Sequence, residues 1–126
     1  MKQLCAAITQ GFSTKRIDIY ATIIIAFAIA LATLTPVETL PNVSGSDKLH
    51  HLISFAILTL PIAIIRPNAM WIIMCLSIAF GGAIELLQPL VNRSCEMADF
   101  LADAVGAILG FLVAEALRAR PRPTAD

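Results

Sequence analysis

Charged residues are scarce in this sequence, and their scarcity excludes the commonest classes of protein. Of its 126 residues, 14% are charged and 58% are hydrophobic, whereas a soluble domain is about one quarter charged and about half apolar. Disordered chains are poor in apolar residues, so the same figures exclude disorder. With a mean hydropathy of +0.81, the composition predicts one small integral membrane domain.

Cysteines and catalytic motifs are few as well. The three cysteines, Cys5, Cys75 and Cys95, fall in separate parts of the chain, which indicates no disulfide framework within the chain. The sequence has no Ser-His-Asp order, no HExxH motif and no phosphatase-like cluster of arginines. Spacings typical of metal ligands are also missing. We therefore expect no metal, no cofactor and no nucleic-acid partner.

Four apolar runs predict the fold. They cover residues 17–35, 49–65, 69–88 and 99–117, and each is near the ~20 residues that span about 30 Å of hydrocarbon. Pro61 interrupts the second run, where we expect a kink whose freed carbonyl is satisfied by neighbouring groups. The connections are short, which favours sequential antiparallel helices. The sequence thus predicts an all-α membrane protein, a bundle of four antiparallel transmembrane helices.

Lysine and arginine are distributed unequally over the two ends of these helices. Seven of the nine lie before the first run, in the second connection and after the fourth run, whereas Lys48 and Arg93 lie at the opposite end. The positive-inside rule then places both termini in the cytosol and the loops at 36–48 and 89–98 outside.

The segments that flank the four runs follow from this orientation. Residues 1–16 would lie in the cytosol or along the inner membrane surface, and residues 118–126 would form a basic cytosolic tail. One alternative stays open, namely that the first run is a secretory signal cleaved after Ala30-Leu31-Ala32.

Polar side chains gather at the end of the bundle that is predicted to face outside. Glu85 lies fourteen residues after Trp71, or about 21 Å along a helix, which places it just below the outer membrane boundary. His51 follows Asp47 by four residues, so the two share a helix face. Three helix ends and one loop form what we call the polar cluster: Asp47, Lys48, His51, Glu85, Gln88, Arg93, Asp99 and Asp103.

The polar cluster has two interpretations. An ionisable residue within a membrane helix indicates function by default, and four acids against two cations leave a negative excess that protons or a bound cation would balance. The alternative is structural. Asp47 and Asp99 would then cap their helices, and Glu85 would pair with Arg93 during assembly.

Small residues predict where the helices approach each other. Ala102, Gly106 and Gly110 recur every four residues, the pattern that allows close contact between membrane helices. We expect this stripe to pack within the chain, because Asp103 would otherwise face lipid. The opposing surface is expected from two glycines of the third run, Gly81 and Gly82.

The order of these residues resembles the VanZ-like family of small bacterial membrane proteins. The similarity begins at Pro36 and continues with DKLHHLISF from Asp47 to Phe55, ELLQ from Glu85 to Gln88, Arg93, Asp99 and DAVGAILG from Asp103 to Gly110. The family usually has asparagine where this chain has Asp103, so an acid replaces a neutral amide. The resemblance implies a place in the bacterial cytoplasmic (inner) membrane. For the member that gave the family its name, it implies an association with resistance to glycopeptide antibiotics such as teicoplanin, and it implies no agreed catalytic activity.

Three hypotheses of function follow. In the leading one, the polar cluster of a non-enzymatic envelope protein binds the head group of a lipid, a lipid-linked cell-wall precursor or a glycopeptide antibiotic. In the second, the chain is an enzyme acting on a lipid-linked substrate, with His51 backed by Asp47 as general base and Glu85 as acid. A variant of it has a metal ion, held by His51, Asp47, Glu85 and Asp99. In the third, the chain is a scaffold subunit and the cluster is structural. The oligomeric state stays open.

Overall fold

Four α-helices make up the protein in the computed structural model, which describes the backbone at residues 2–36 and 47–119 and the side chains at 16–36 and 47–119. The described residues contain no β-strand. Each helix contains a stretch long and apolar enough to cross a membrane. The prediction of an all-α membrane protein with four transmembrane helices is therefore confirmed. The helices are α1 (Lys2–Thr33), α2 (Asp47–Ile65), α3 (Met70–Leu87) and α4 (Met97–Arg118).

α1 is longer than one membrane crossing. It continues without a break from Lys2 to Thr33, and its apolar stretch is Arg16–Thr33. Residues 2–15 therefore extend the first transmembrane helix and do not form a separate short one. Their position against the membrane surface stays a prediction, as does the cytosolic placement of both termini. Most of the predicted outer loop and the tail beyond residue 119 lie outside the described residues.

Prolines and one left-handed residue set the turns between helices. Pro67 opens a single 3₁₀ turn before α3, and Pro89 lies in a second 3₁₀ turn, Gln88–Val91, directly after α3. Asn92 then has φ 58°, a conformation that asparagine tolerates better than most residues. The chain reverses within these few residues and returns along α3 as α4. Within α2, the helix continues through Pro61.

Two glycines allow α2 and α4 to form the most extensive contact of the bundle. A Cβ atom at Gly106 would collide with the backbone carbonyl oxygen of Leu52. One at Gly110 would collide with the carbonyl oxygen of Ala56 and with the hydroxyl of Thr59. The small-residue stripe therefore packs on α2, backbone against backbone, within the chain.

Gly81 and Gly82 serve a different interface, between α3 and α4. A Cβ atom at Gly81 would lie 2.6 Å from Asp103 Oδ2, and one at Gly82 would lie 3.5 Å from the ring of Phe100. The prediction that these two glycines oppose the Gly106 stripe is therefore wrong. The rotation of α4 about its axis explains the difference, because it points the stripe at α2 and Asp103 between α2 and α3.

Large apolar side chains cover the outside of the bundle. Ile24, Trp71 and Leu86 are 67%, 63% and 77% exposed. Lipid tails are as apolar as these side chains, so exposing them to a bilayer carries no hydrophobic penalty. The buried apolar cluster is correspondingly small and contains Ile29, Phe55, Leu58 and Ile84.

An ion pair between a buried acid and a partly exposed arginine connects α1 to the α2–α3 connection at the end opposite the polar cluster. Arg66 donates from Nε to Asp18 Oδ2 at 2.5 Å and from Nη2 to Asp18 Oδ1 at 3.2 Å. Asp18 is 1% exposed. The two-pronged contact satisfies both carboxylate oxygens, which is the strong geometry for an arginine–carboxylate pair.

The α2–α4 contact predicts the effect of adding one methyl group. Gly106→Ala should lower the free energy of unfolding by about 1–3 kcal/mol, because the new Cβ must push α2 away. Gly82→Ala is the matched control, since its Cβ would make an ordinary contact with Phe100. Thermal unfolding of the detergent-solubilised variants measures the difference. Equal melting temperatures for the two variants would contradict this packing.

The predicted orientation has a direct test at Cys95, which is exposed in the connection between α3 and α4. A membrane-impermeant maleimide added to intact cells should label Cys95, because this connection is predicted to face outside. Cys95→Ser should remove the label, since Cys75 lies within α3. Labelling of intact cells that the Cys95→Ser variant retains would reverse the topology, because Cys5 and not Cys95 would then face outside.

Candidate functional site

The polar cluster lies where the first turns of α2 and α4 meet the end of α3. Lys48 on α2 extends toward α4, with its Nζ 3.0 Å from Glu96 Oε2 and 3.5 Å from Asp99 Oδ1. Arg93, in the connection between α3 and α4, donates from Nη2 to the two carboxylate oxygens of Asp47 at 3.3 and 3.4 Å. These pairs join the helix ends across the surface of the cluster.

Beneath this surface, His51 on α2 pairs with Asp103 on α4. The distance from His51 Nδ1 to Asp103 Oδ1 is 2.9 Å, and the side chains are 2% and 0% exposed. When Asp103 is ionised its oxygen can only accept, and in that state Nδ1 carries the proton and donates it. The hypothesis that Asp47 backs His51 is wrong, because Asp47 turns to Arg93. Spacing along α2 made Asp47 a candidate, but only the packing of α4 brings Asp103 within reach.

Glu85 and Gln88 form the α3 side of the cluster. Glu85 Oε2 accepts a hydrogen bond from the backbone N–H of Glu96 at 2.9 Å, and Glu85 is 4% exposed. In the amide orientation that forms hydrogen bonds, the nitrogen of Gln88 donates to Glu85 Oε2 at 3.3 Å and to the Ser94 carbonyl oxygen at 3.1 Å. The alternative pairing of Glu85 with Arg93 is therefore not formed, since Arg93 bonds to Asp47.

The capping interpretation fails for Asp99. The N-cap residue of α4 is Glu96, whose side chain makes no capping hydrogen bond. Asp99 lies in the first turn of the helix and its carboxylate faces Lys48. Its negative charge still suits a helix N-terminus, but its contact is with α2.

The cluster has an exposed rim and a buried floor. On the rim, the side chains of Asp47, Lys48 and Glu96 are 55%, 55% and 47% exposed. Here the hydrogen bond from Lys48, aided by one from the Ser94 hydroxyl, holds the pKa of Glu96 below its usual value. The floor consists of residues that are at most 4% exposed, namely His51, Glu85, Gln88, Asp99 and Asp103.

Comparison with known protein families identifies the chain. Residues 5–118 match the VanZ/LLP1 family. The chain belongs to this family. No curated protein and no solved structure matches it. The family match and the four apolar helices make the chain a VanZ-like multi-pass membrane protein.

Acids outnumber cations in the cluster of this VanZ/LLP1 protein. Glu96, which the sequence analysis did not assign to the cluster, joins the four acids that it did, so five carboxyl groups meet two cationic side chains. Both cations are already paired with carboxylates. The sequence position of Glu96 could have assigned it to the cluster. Glu96 lies shortly before the apolar run of α4, and an acid at that place lies at a helix N-terminus.

Three buried atoms of the floor lack a hydrogen-bond partner among the described residues. They are His51 Nε2, Asp103 Oδ2 and Asp99 Oδ1, of which the last has only the Lys48 ammonium at 3.5 Å. A buried polar atom without a partner costs about 1–3 kcal/mol. A cluster that served only to lock the bundle would be expected to satisfy its own atoms, as the Asp18–Arg66 pair does.

The His51–Asp103 pair predicts a contrast between two substitutions at one position. Asp103→Ala should lower the free energy of unfolding by about 1–3 kcal/mol more than Asp103→Asn, because alanine leaves the buried His51 Nδ1–H without an acceptor. Asparagine keeps an acceptor oxygen in the same place. Thermal or chemical unfolding in detergent gives the comparison. Equal losses from both substitutions would mean that the pair contributes through charge alone.

Proposed function

We propose that this VanZ/LLP1 protein binds the polar head group of a lipid or a lipid-linked cell-wall precursor at the polar cluster. The observation that carries the proposal is the combination of a half-exposed charged rim with a buried floor that does not satisfy its own polar atoms. The cluster also lies at the ends of apolar helices, which is the level at which lipid head groups lie.

The charges of the rim, together with Arg93, whose side chain is 11% exposed, suit a head group that carries both an anionic part and hydrogen-bond donors. Lys48 and Arg93 would face a phosphate, with charge-assisted bonds that are about twice as strong as neutral ones. Each would exchange a carboxylate partner for the phosphate, Glu96 in one case and Asp47 in the other. The released carboxylates would then accept from hydroxyl, amide or amine groups of the same ligand.

The side of the membrane that the polar cluster faces bears on which ligand it would meet. The distribution of lysine and arginine supports a cluster that faces outward from the bacterial cytoplasmic membrane. A cell-wall precursor exposes its head group on that side, and a glycopeptide antibiotic also arrives from there. A link to glycopeptide resistance of the teicoplanin type rests on the family resemblance and is part of the proposal.

A second candidate function is an enzyme acting on a lipid-linked substrate. The His51–Asp103 pair favours it, because a carboxylate that holds Nδ1–H leaves Nε2 as a proton acceptor. Nε2 has no partner among the described residues, and a carboxylate oxygen of Glu85 lies within 4.8 Å of a ring nitrogen of His51. In this reading Asp103 is a positioning residue, His51 the general base and Glu85 the acid.

The binding proposal predicts the behaviour of Glu85→Gln in native mass spectrometry of the detergent-extracted protein. The wild type should retain a defined lipid adduct, and the folded Glu85→Gln variant should lose it, because an acceptor of the floor becomes a neutral amide. Glu115→Gln is the matched control. It removes an acid that pairs with Arg118 at the other end of α4, and it should keep the adduct.

The outcomes separate the candidate functions. An adduct in all three proteins, or in none, contradicts head-group binding at the polar cluster. A Glu85→Gln protein that fails to fold, while Glu115→Gln folds, supports the scaffold interpretation. Conversion of the retained lipid by the wild type, but not by His51→Gln, establishes the enzyme in place of a binding protein.

A further inference from the structure

We infer that the polar cluster also binds one divalent transition-metal ion, with Asp47, His51 and Asp99 as its protein ligands. One ligating atom of each residue lies within 4.8 Å of those of the other two. The three residues come from two helices, with Asp47 and His51 one turn apart on α2 and Asp99 in the first turn of α4. The metal site goes beyond the proposed head-group binding and does not require it.

Two unpartnered atoms distinguish this group from an ordinary collection of acids. His51 is 3% exposed and Asp99 is 4% exposed. His51 Nε2 and Asp99 Oδ1 are both buried without a hydrogen-bond partner among the described residues, although the Lys48 ammonium lies 3.5 Å from Asp99 Oδ1. In a neutral imidazole whose Nδ1 is protonated, Nε2 has the lone pair that a metal needs. One nitrogen and one oxygen acceptor are thus available within the floor.

Asp103 completes the arrangement as an outer-shell partner. Histidines that bind metals almost always donate their other ring N–H to a carboxylate or carbonyl, which fixes the tautomer and raises the basicity of the ligating nitrogen. The 2.9 Å contact from His51 Nδ1 to Asp103 Oδ1 has this geometry. Asp103 would therefore act through His51 and would not touch the ion.

A second group, His51 with Glu85 and Asp103, also lies within 4.8 Å, but it fits a metal less well. Binding there would break the His51–Asp103 hydrogen bond, because both residues of that pair would be ligands. It is also buried at all three residues, whereas the first group opens to solvent through Asp47. The open side provides an entry path for the ion.

The donor set indicates the class of ion. An imidazole nitrogen favours zinc, iron, nickel or copper, whereas magnesium and calcium prefer oxygen donors and water. One histidine and two carboxylates resemble three-ligand zinc sites, in which a fourth position remains for water or a ligand. An ion held there would add positive charge to a cluster in which five carboxyl groups meet two cations.

Isothermal titration of Zn²⁺ into the full chain tests the metal site. The protein is purified in detergent, freed of its tag and of metal, and carries serine in place of Cys5, Cys75 and Cys95, so that thiols do not contribute. We expect one Zn²⁺ per chain and no binding by His51→Gln. Binding should be about 100-fold weaker or more in Asp99→Asn, because a residue that contacts the ion should matter more than one that acts through His51. Asp103→Asn should weaken binding by about 10–100-fold, as loss of an outer-shell partner does.

Glu85→Gln is the matched control and should bind Zn²⁺ as the wild type does. Its visible spectrum with Co²⁺, compared with that of the wild type, shows whether the coordination is unchanged even if a variant is less stable. Absence of stoichiometric binding by the wild type overturns the inference, as does binding that Asp99→Asn retains and Glu85→Gln loses. Zinc binding that Glu85→Gln retains while it loses the lipid adduct separates the metal site from the head-group site.

Discussion

The hydrogen-bonded pair of His51 and Asp103 is the contact on which the arrangement of the bundle depends. Both side chains are almost completely buried, and either one alone would leave a polar group in the bilayer without compensation. Gly106 lets α2 and α4 approach closely enough for the pair to form, and Gly81 leaves the space on α3 that the second carboxylate oxygen of Asp103 occupies. One polar contact therefore constrains three helices.

The two ends of the bundle differ in whether their buried charged groups are fully paired. At one end, Arg66 satisfies both oxygens of Asp18, and the pair connects α1 to the rest of the bundle. At the other end, acids exceed cations, and three buried atoms stay without partners. The first arrangement is what stability requires of a buried charge. The arrangement in the polar cluster leaves buried polar atoms without partners, and this lowers the stability of the fold. A ligand would supply the missing partners, which is why we assign function to the polar cluster.

Much of this architecture could be predicted because apolar run length and the order of polar residues are properties of the chain itself. The four helices followed from their length and composition, and the membership of the cluster, apart from Glu96, followed from which helix ends meet. The partners within it did not follow. Asp47 and Asp103 were both reasonable partners for His51, and only the rotation and packing of α4 decide between them. The same rotation decides that Gly106 packs on α2 and not on Gly81. Helix rotation depends on contacts distant in sequence, and a periodic pattern does not encode it.

The central claim is that His51 offers a free Nε2 lone pair within the polar cluster. Nitrogen-15 NMR of the histidine side chains at mildly alkaline pH tests it most directly, with His51→Gln used to separate the resonances of His51 from those of His50. We expect His51 to be protonated at Nδ1 and unprotonated at Nε2, and its Nε2 resonance to move when Zn²⁺ or a lipid extract is added. A proton on Nε2 that persists in the presence of both would contradict it, because the floor of the cluster would then be a structural lock.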